Sequence, residues 1–142
     1  DTEFLTEGLL GYAYCQQFLG NFANAYQAFN LGLVQVNSSY YLSHKAGKCF
    51  LEYAFKQDNL KAITLGREIL LTNDLYEFEW DNQINQNDII LTIALSQFNL
   101  KQYVPCYENV QLLATDYQLD LNHPSAIYLL NLKLEQLITS LR

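Results

Sequence analysis

The chain of 142 residues contains no methionine. Translation begins with Met, so Asp1 reads as the start of a fragment or of a processed product, with no leader peptide visible ahead of the first helical pattern. No apolar run approaches the ~20 residues needed to span a bilayer. Positive charge is scarce: eight Lys and Arg stand against fifteen Asp and Glu, for a net charge of −7. The eight are scattered rather than gathered in a basic stripe, which excludes direct nucleic-acid binding by this segment and weakly favours basic partners. There are three cysteines, Cys15, Cys49 and Cys106, with no CxxC among them. An odd count with no close pair argues against a disulfide framework, and each lies in a helical apolar pattern, so buried free thiols in a reducing, cytoplasmic setting are expected. The two histidines, His44 and His123, are far apart and lack partners at metal-ligand spacing. The single tryptophan, Trp80, lies in an irregular stretch of acids and amides, where it plugs a gap between helices or forms a recognition patch.

What is abundant is apolar and aromatic. Half the residues are hydrophobic, with 11 Tyr and 8 Phe, enough for one domain with a core. Their spacing is helical almost throughout. Residues 3–18 carry one apolar stripe, closed by Leu19-Gly20-Asn21, where Gly suits a left-handed turn. Residues 22–36 carry the next, followed by Asn37-Ser38-Ser39 with Ser39 as an expected N-cap. Further helices are expected over about 40–55 and 60–71, then from 81 or 87 to about 98, and over 103–117 with Pro105 in the first turn, where its missing N–H is tolerated. A last helix over 124–141 has the stripe Ile127, Leu130, Leu134, Leu137 and Leu141. Tyr128, Leu129 and Leu132 add apolar surface beside it, a face open to another repeat, to a second copy in a homodimer through this helix, or to further sequence of a longer protein. No stretch alternates apolar and polar residues over a useful length, so no sheet is expected.

The helices repeat. Ala13 is followed by Leu19, Phe22, Ala25, Phe29 and Gly32. Ala94 is followed, at identical spacings, by Leu100, Tyr103, Cys106, Val110 and Leu113. Small residues recur where two helices must approach closely, and large ones where space must be filled. In the middle unit Gly47 stands 34 residues after Ala13 and Ala62 stands 37 after Ala25, implying about three extra residues in its first helix or its turn.

This pattern resembles the tetratricopeptide repeat. Gly20-Asn21-Phe22 with Ala25 and Phe29 matches well. Lys101-Gln102-Tyr103 with Cys106 is similar, with Lys for Gly and Cys for Ala, and Asp58-Asn59-Leu60 with Ala62 matches loosely. The resemblance implies an all-α fold, a right-handed superhelix of antiparallel helix pairs. Its repeats would cover about 4–37, 40–73 and 81–118, with a capping helix over 124–141. It also implies a concave groove lined by the first helix of each pair, binding a protein or peptide. The groove positions are Glu7, Leu10, Tyr14, Gln17 and Phe18 in the first unit. In the second they are Tyr41, His44, Lys48, Leu51 and Glu52, and in the third Asp88, Leu91, Leu95, Phe98 and Asn99. Tyr14, Gln17, Phe18, Tyr41, His44, Lys48, Glu52, Phe98 and Asn99 are the expected peptide contacts, because rings offer stacking area and amides can pair with a peptide backbone.

No Ser-His-Asp arrangement, phosphate loop or nucleophile elbow is visible. Cys49 and His44 are five apart and fall on different helix faces. Glu77, Glu79, Asp81 and Asp88 lie in a loop and at a helix start, where acids complement the dipole. No catalytic centre, metal or cofactor is therefore expected. The function classes left open are a scaffold or ligand-binding repeat module, the peptide-sensing part of a bacterial transcription regulator, a secretion chaperone, and a non-catalytic part of a hydrolase or phosphatase.

Overall fold

Three helical hairpins follow one another, and a seventh helix closes the chain. The computed structural model describes residues 1–78 and 81–141, so Trp80 and Glu79 lie outside the described residues. The helices are α1 (Thr2–Phe18), α2 (Phe22–Gly32), α3 (Tyr41–Ala54), α4 (Asn59–Thr72), α5 (Gln86–Asn99), α6 (Tyr103–Leu113) and α7 (Ala126–Ser140). Each packs along the next through α6, while α7 lies against α5 and α6. Among the described residues no helix is long and apolar enough to cross a membrane.

The turns inside the three hairpins are built alike. Gly20, Gln57 and Lys101 each adopt a positive φ, at 82°, 56° and 61°, and each stands two residues before the second helix of its pair. The next amide then reaches back to the end of the first helix: Asn21 N–H donates to the Gln16 carbonyl, Asp58 to Glu52 and Gln102 to Gln97. Only glycine takes such a backbone without steric cost, so the second and third turns carry strain that the first avoids.

Small residues mark the crossings. Ala25, Ala62 and Cys106 occupy the same place in α2, α4 and α6, and all three are fully buried. Across from them are Ala13, Cys49 and Ala94, also fully buried. In the middle pair the Cys49 thiol donates to the Ala62 carbonyl at 3.2 Å. The middle counterpart of Ala13 is thus Cys49, not Gly47, and the middle unit has one extra residue, in its turn, rather than three. Gly47 serves a different contact. A side chain there would collide with the Phe29 ring, which comes across from α2.

One apolar cluster spans α1 to α5, with Leu10, Phe29, Leu51, Ile69 and Ile93 among its members. A second joins α5, α6 and α7 around Leu91, Val110, Leu130 and Leu134. α5 serves both, Ile89 and Ile93 facing the first and Leu91 and Ala94 the second. On α7 the buried stripe is Ala126, Leu130, Leu134 and Leu137, so Ala126 replaces the expected Ile127, which is half-exposed. Tyr128, Leu129 and Leu132 are exposed, as their positions off the stripe imply.

A short antiparallel ribbon, absent from the sequence expectation, joins α4 to α5. Glu77–Phe78 forms β1 and Asp81–Asn85 forms β2, with Phe78 opposite Asp81 and Glu77 opposite Asn85. Two residues of strand cannot show an alternating pattern, which is why periodicity missed it. Asn85 then starts α5 through a capping box: its side chain accepts from the Asn87 amide, and Asp88 accepts from the Asn85 amide. α2 and α6 end earlier than their apolar patterns suggest, at Gly32 and Leu113. Ser39 is not the cap of α3. Its hydroxyl and amide donate to the Glu3 carboxylate at 2.6 and 3.1 Å, and these bonds hold that carboxyl below its ordinary range. Cys15, expected buried, is exposed, whereas Cys49 and Cys106 are buried, with burial pushing each thiol up to about 12.

Candidate functional site

The first helices of the three hairpins face one cavity of about 260 Å³. Helix α3 supplies one helical stripe, Ser43, Ala46, Gly47, Phe50 and Tyr53. The small residues at 43, 46 and 47 make the floor, and the two rings make a wall. From α5 come Asp88, Leu91, Thr92 and Leu95, again a single face. From α1 come Tyr14 and Gln17, one turn apart. The Phe29 ring reaches the cavity past Gly47, which has no side chain to block it.

The ribbon covers this space from the other side. Phe78 stacks on Tyr14, with ring centroids 5.4 Å apart and planes 27° from parallel. The Tyr76 hydroxyl lies 3.1 Å from the Ser43 hydroxyl, and its backbone carbonyl accepts from the Gln86 amide at 2.8 Å. Both rings are buried, and Ile84, together with Ile89 of α5 and Ile138 of α7, adds to the apolar lining.

The polar groups of the lining are few. The Asp88 carboxylate is committed to the cap of α5, and the Thr92 hydroxyl donates to the Asp88 carbonyl. Burial raises the Tyr53 phenol above its ordinary value, so it stays protonated. The Gln17 side-chain oxygen is buried and has no hydrogen-bond partner. A buried acceptor left unpaired costs about 1–3 kcal/mol, so its retention in a cavity wall calls for a reason. With one unpaired amide oxygen, few other polar groups and many rings, the cavity can bind an apolar group.

The residues expected on the groove divide into three sets. Tyr14 and Gln17 meet at the cavity, where Asp88, Leu91 and Leu95 join them. Phe18 is 83% exposed, Glu7 is exposed, and the Asn99 amide donates to the Asn59 side chain at 3.1 Å on the surface between α5 and α4. Phe98 packs edge-on against Tyr103 in the second cluster, and Tyr41 lies under the Lys45 ammonium at 5.0 Å. The remainder are structural. Leu10 and Leu51 are fully buried core.

His44 and Glu52 require correction, because both are buried between helices rather than presented to a groove. The His44 Nε2–H donates to the Thr6 carbonyl at 2.9 Å, its ring meets Phe29 edge-on, and its Nδ1 is buried and unpartnered. Burial holds this imidazole below its ordinary pKa. Glu52 accepts from the Tyr26 hydroxyl at 2.8 Å and pairs with Lys61 at 3.5 Å. Burial and then that hydrogen bond raise the Tyr26 phenol. Lys48 sits over the Tyr26 ring at 5.7 Å, its pKa lowered by burial and then by the neighbouring Lys61 charge. This cluster lies among α2, α3 and α4, and none of its members lines the cavity.

Sequence reasoning missed Phe50, Tyr53, Tyr76 and Phe78. The first two were within reach. Tyr14 and Gln17 stand one and four residues after Ala13, and Phe50 and Tyr53 stand one and four after Cys49. Anchoring the middle unit on Gly47 shifted the register by two residues and brought up Lys48 and Leu51 instead.

Among the described residues no group of three His, Cys, Asp or Glu is placed to hold a metal. Compared with protein-family models, with curated proteins and with solved structures, the chain matches none.

Proposed function

We propose that this chain is a peptide-binding helical repeat module of the tetratricopeptide-like kind, and that its ligand site is the cavity beneath the ribbon. The observation that carries this reading is the convergence of equivalent positions. Tyr14 and Gln17 of α1, Phe50 and Tyr53 of α3, and Leu95 of α5 stand at matching offsets from Ala13, Cys49 and Ala94, and all line one cavity. The three like turns and the paired small residues support reading the hairpins as units of one right-handed stack. A half-enclosed, largely apolar pocket with one unpaired amide suits an anchoring side chain of an extended or helical segment.

The test is selection from a displayed peptide library, followed by binding to Leu95→Trp, which fills the cavity. Selected peptides are expected to share one apolar anchor position. They should lose at least ~10-fold in affinity for the filled variant, as for removal of a buried anchor, while its circular dichroism is unchanged. Equal binding to both proteins would remove the cavity from the mechanism. Should Leu95→Trp unfold, Ala46→Leu, a smaller filling from the floor, serves the same comparison.

A further inference from the structure

We infer that the group this cavity accepts is a bicyclic aromatic ring carrying one N–H donor, the chemistry of an indole, presented as a tryptophan side chain. This rests on the cavity being the ligand site proposed above.

Size comes first. A cavity of about 150 Å³ holds benzene, and pockets for whole drug-sized ligands start near ~300 Å³. At about 260 Å³ the half-enclosed space has room for a fused pair of rings. The wall comes second. Six of the described lining residues carry rings: Tyr14, Phe29, Phe50, Tyr53, Tyr76 and Phe78. Offset-stacked and edge-on contacts with such a wall favour an aromatic occupant over an aliphatic one. Charge comes third. Among the described residues no Lys, Arg or His lines the cavity, so none of them matches a carboxylate or a phosphate there. Asp88 spends its carboxylate on the α5 cap, so a cationic group gains little.

The Gln17 oxygen then fixes the polar requirement. It is buried and unpartnered, and Gln17 forms part of the lining. An occupant with one donor at its edge satisfies it; an occupant with none leaves it as it is. Because each wrong combination buries an unpaired group, discrimination here exceeds what contact area alone provides.

The experiment compares indole with indene, which has the same shape and no N–H, by saturation-transfer NMR and calorimetry on the intact protein. Indole is expected to bind about 10-fold more tightly. In Gln17→Leu the preference should vanish or reverse, since the indole N–H then enters unpaired. Equal binding of the two fragments to the unaltered protein overturns the inference, as does absence of binding by either. A preference that survives Gln17→Leu, in a variant with unchanged circular dichroism, also overturns it. The comparison on the unaltered protein stands even if Gln17→Leu fails to fold. Failure of the peptide reading looks different: selected peptides would ignore the cavity-filling substitution while indole kept its Gln17-dependent preference.

Discussion

The His44 imidazole occupies the space that a side chain at Gly32 would need. A Cβ built on Gly32 would collide with the ring itself, which is locked by its bond to the Thr6 carbonyl and by the edge of Phe29. Glycine at the end of α2 is therefore required by its neighbour rather than by its backbone. Gly→Ala within a helix ordinarily gains up to about 1 kcal/mol. Here Gly32→Ala is expected to lose about 1–3 kcal/mol through overpacking. Urea unfolding decides the sign, and a midpoint that rises would show that the ring can swing aside.

Acid should weaken the fold through the same histidine. Its folded-state pKa lies below the ordinary 6.5, so the unfolded chain binds the proton more readily. Stability from this group is complete above about 6.5 and declines as pH falls from there towards the folded value. Nδ1 has no acceptor waiting, so protonation buries an unpaired N–H. Thermal melts between pH 7.5 and 5.5 should show a falling Tm. His44→Gln can still donate to Thr6 but cannot titrate, and its Tm should decline less over that interval. An equal decline in both proteins would assign the effect elsewhere.

The three like turns carry unlike residues, and their substitutions should have opposite signs. At Gly20 nothing stands within 4 Å of a built Cβ, so Gly20→Ala tests the backbone alone: about 1–2 kcal/mol of strain, offset by about 0.5–1 kcal/mol of unfolded-state entropy, should leave a net cost of roughly 0.5–1 kcal/mol. At Gln57 and Lys101 the same conformation is already imposed on side-chain-bearing residues. Gln57→Gly and Lys101→Gly relieve about 1–2 kcal/mol of strain and lose about 0.5–1 kcal/mol in unfolded-state entropy. Each should therefore gain roughly 0.5–1 kcal/mol. Denaturant midpoints that fall for both would show that the three turns are alike in shape only.

The hairpins were legible because their signals are local and strong. Gly20 announced its turn, and the matched spacings after Ala13 and Ala94 predicted the pairing of α1 with α2 and of α5 with α6. The middle hairpin was misread because a buried cysteine does the work of an alanine. Cys49 has the right size for a close crossing, yet Gly47 had the more conspicuous spacing. That two-residue error rotated α3 by about half a turn. It turned His44 and Glu52, which are held inside by Thr6 and Tyr26, into apparent groove residues. Tyr76 and Phe78 were out of reach for another reason. Their place in the site depends on a ribbon whose pairing is set by what lies beneath it, on α1 and α3, and a sequence window around them contains neither.

That ribbon also changes how the molecule comes apart. In a plain row of hairpins the end unit can peel away alone, because it touches only its neighbour. Here Phe78 grips Tyr14, and Tyr76 meets Ser43 across 33 residues of chain. The first hairpin cannot leave without tearing the ribbon from it, nor can the ribbon settle before the first two hairpins are in place. The segment from α1 to α5 is thereby laced into one cooperative body, while α6 and α7 hang from it through the far face of α5. The weakest seam of the fold is expected along that helix, which is also one wall of the cavity.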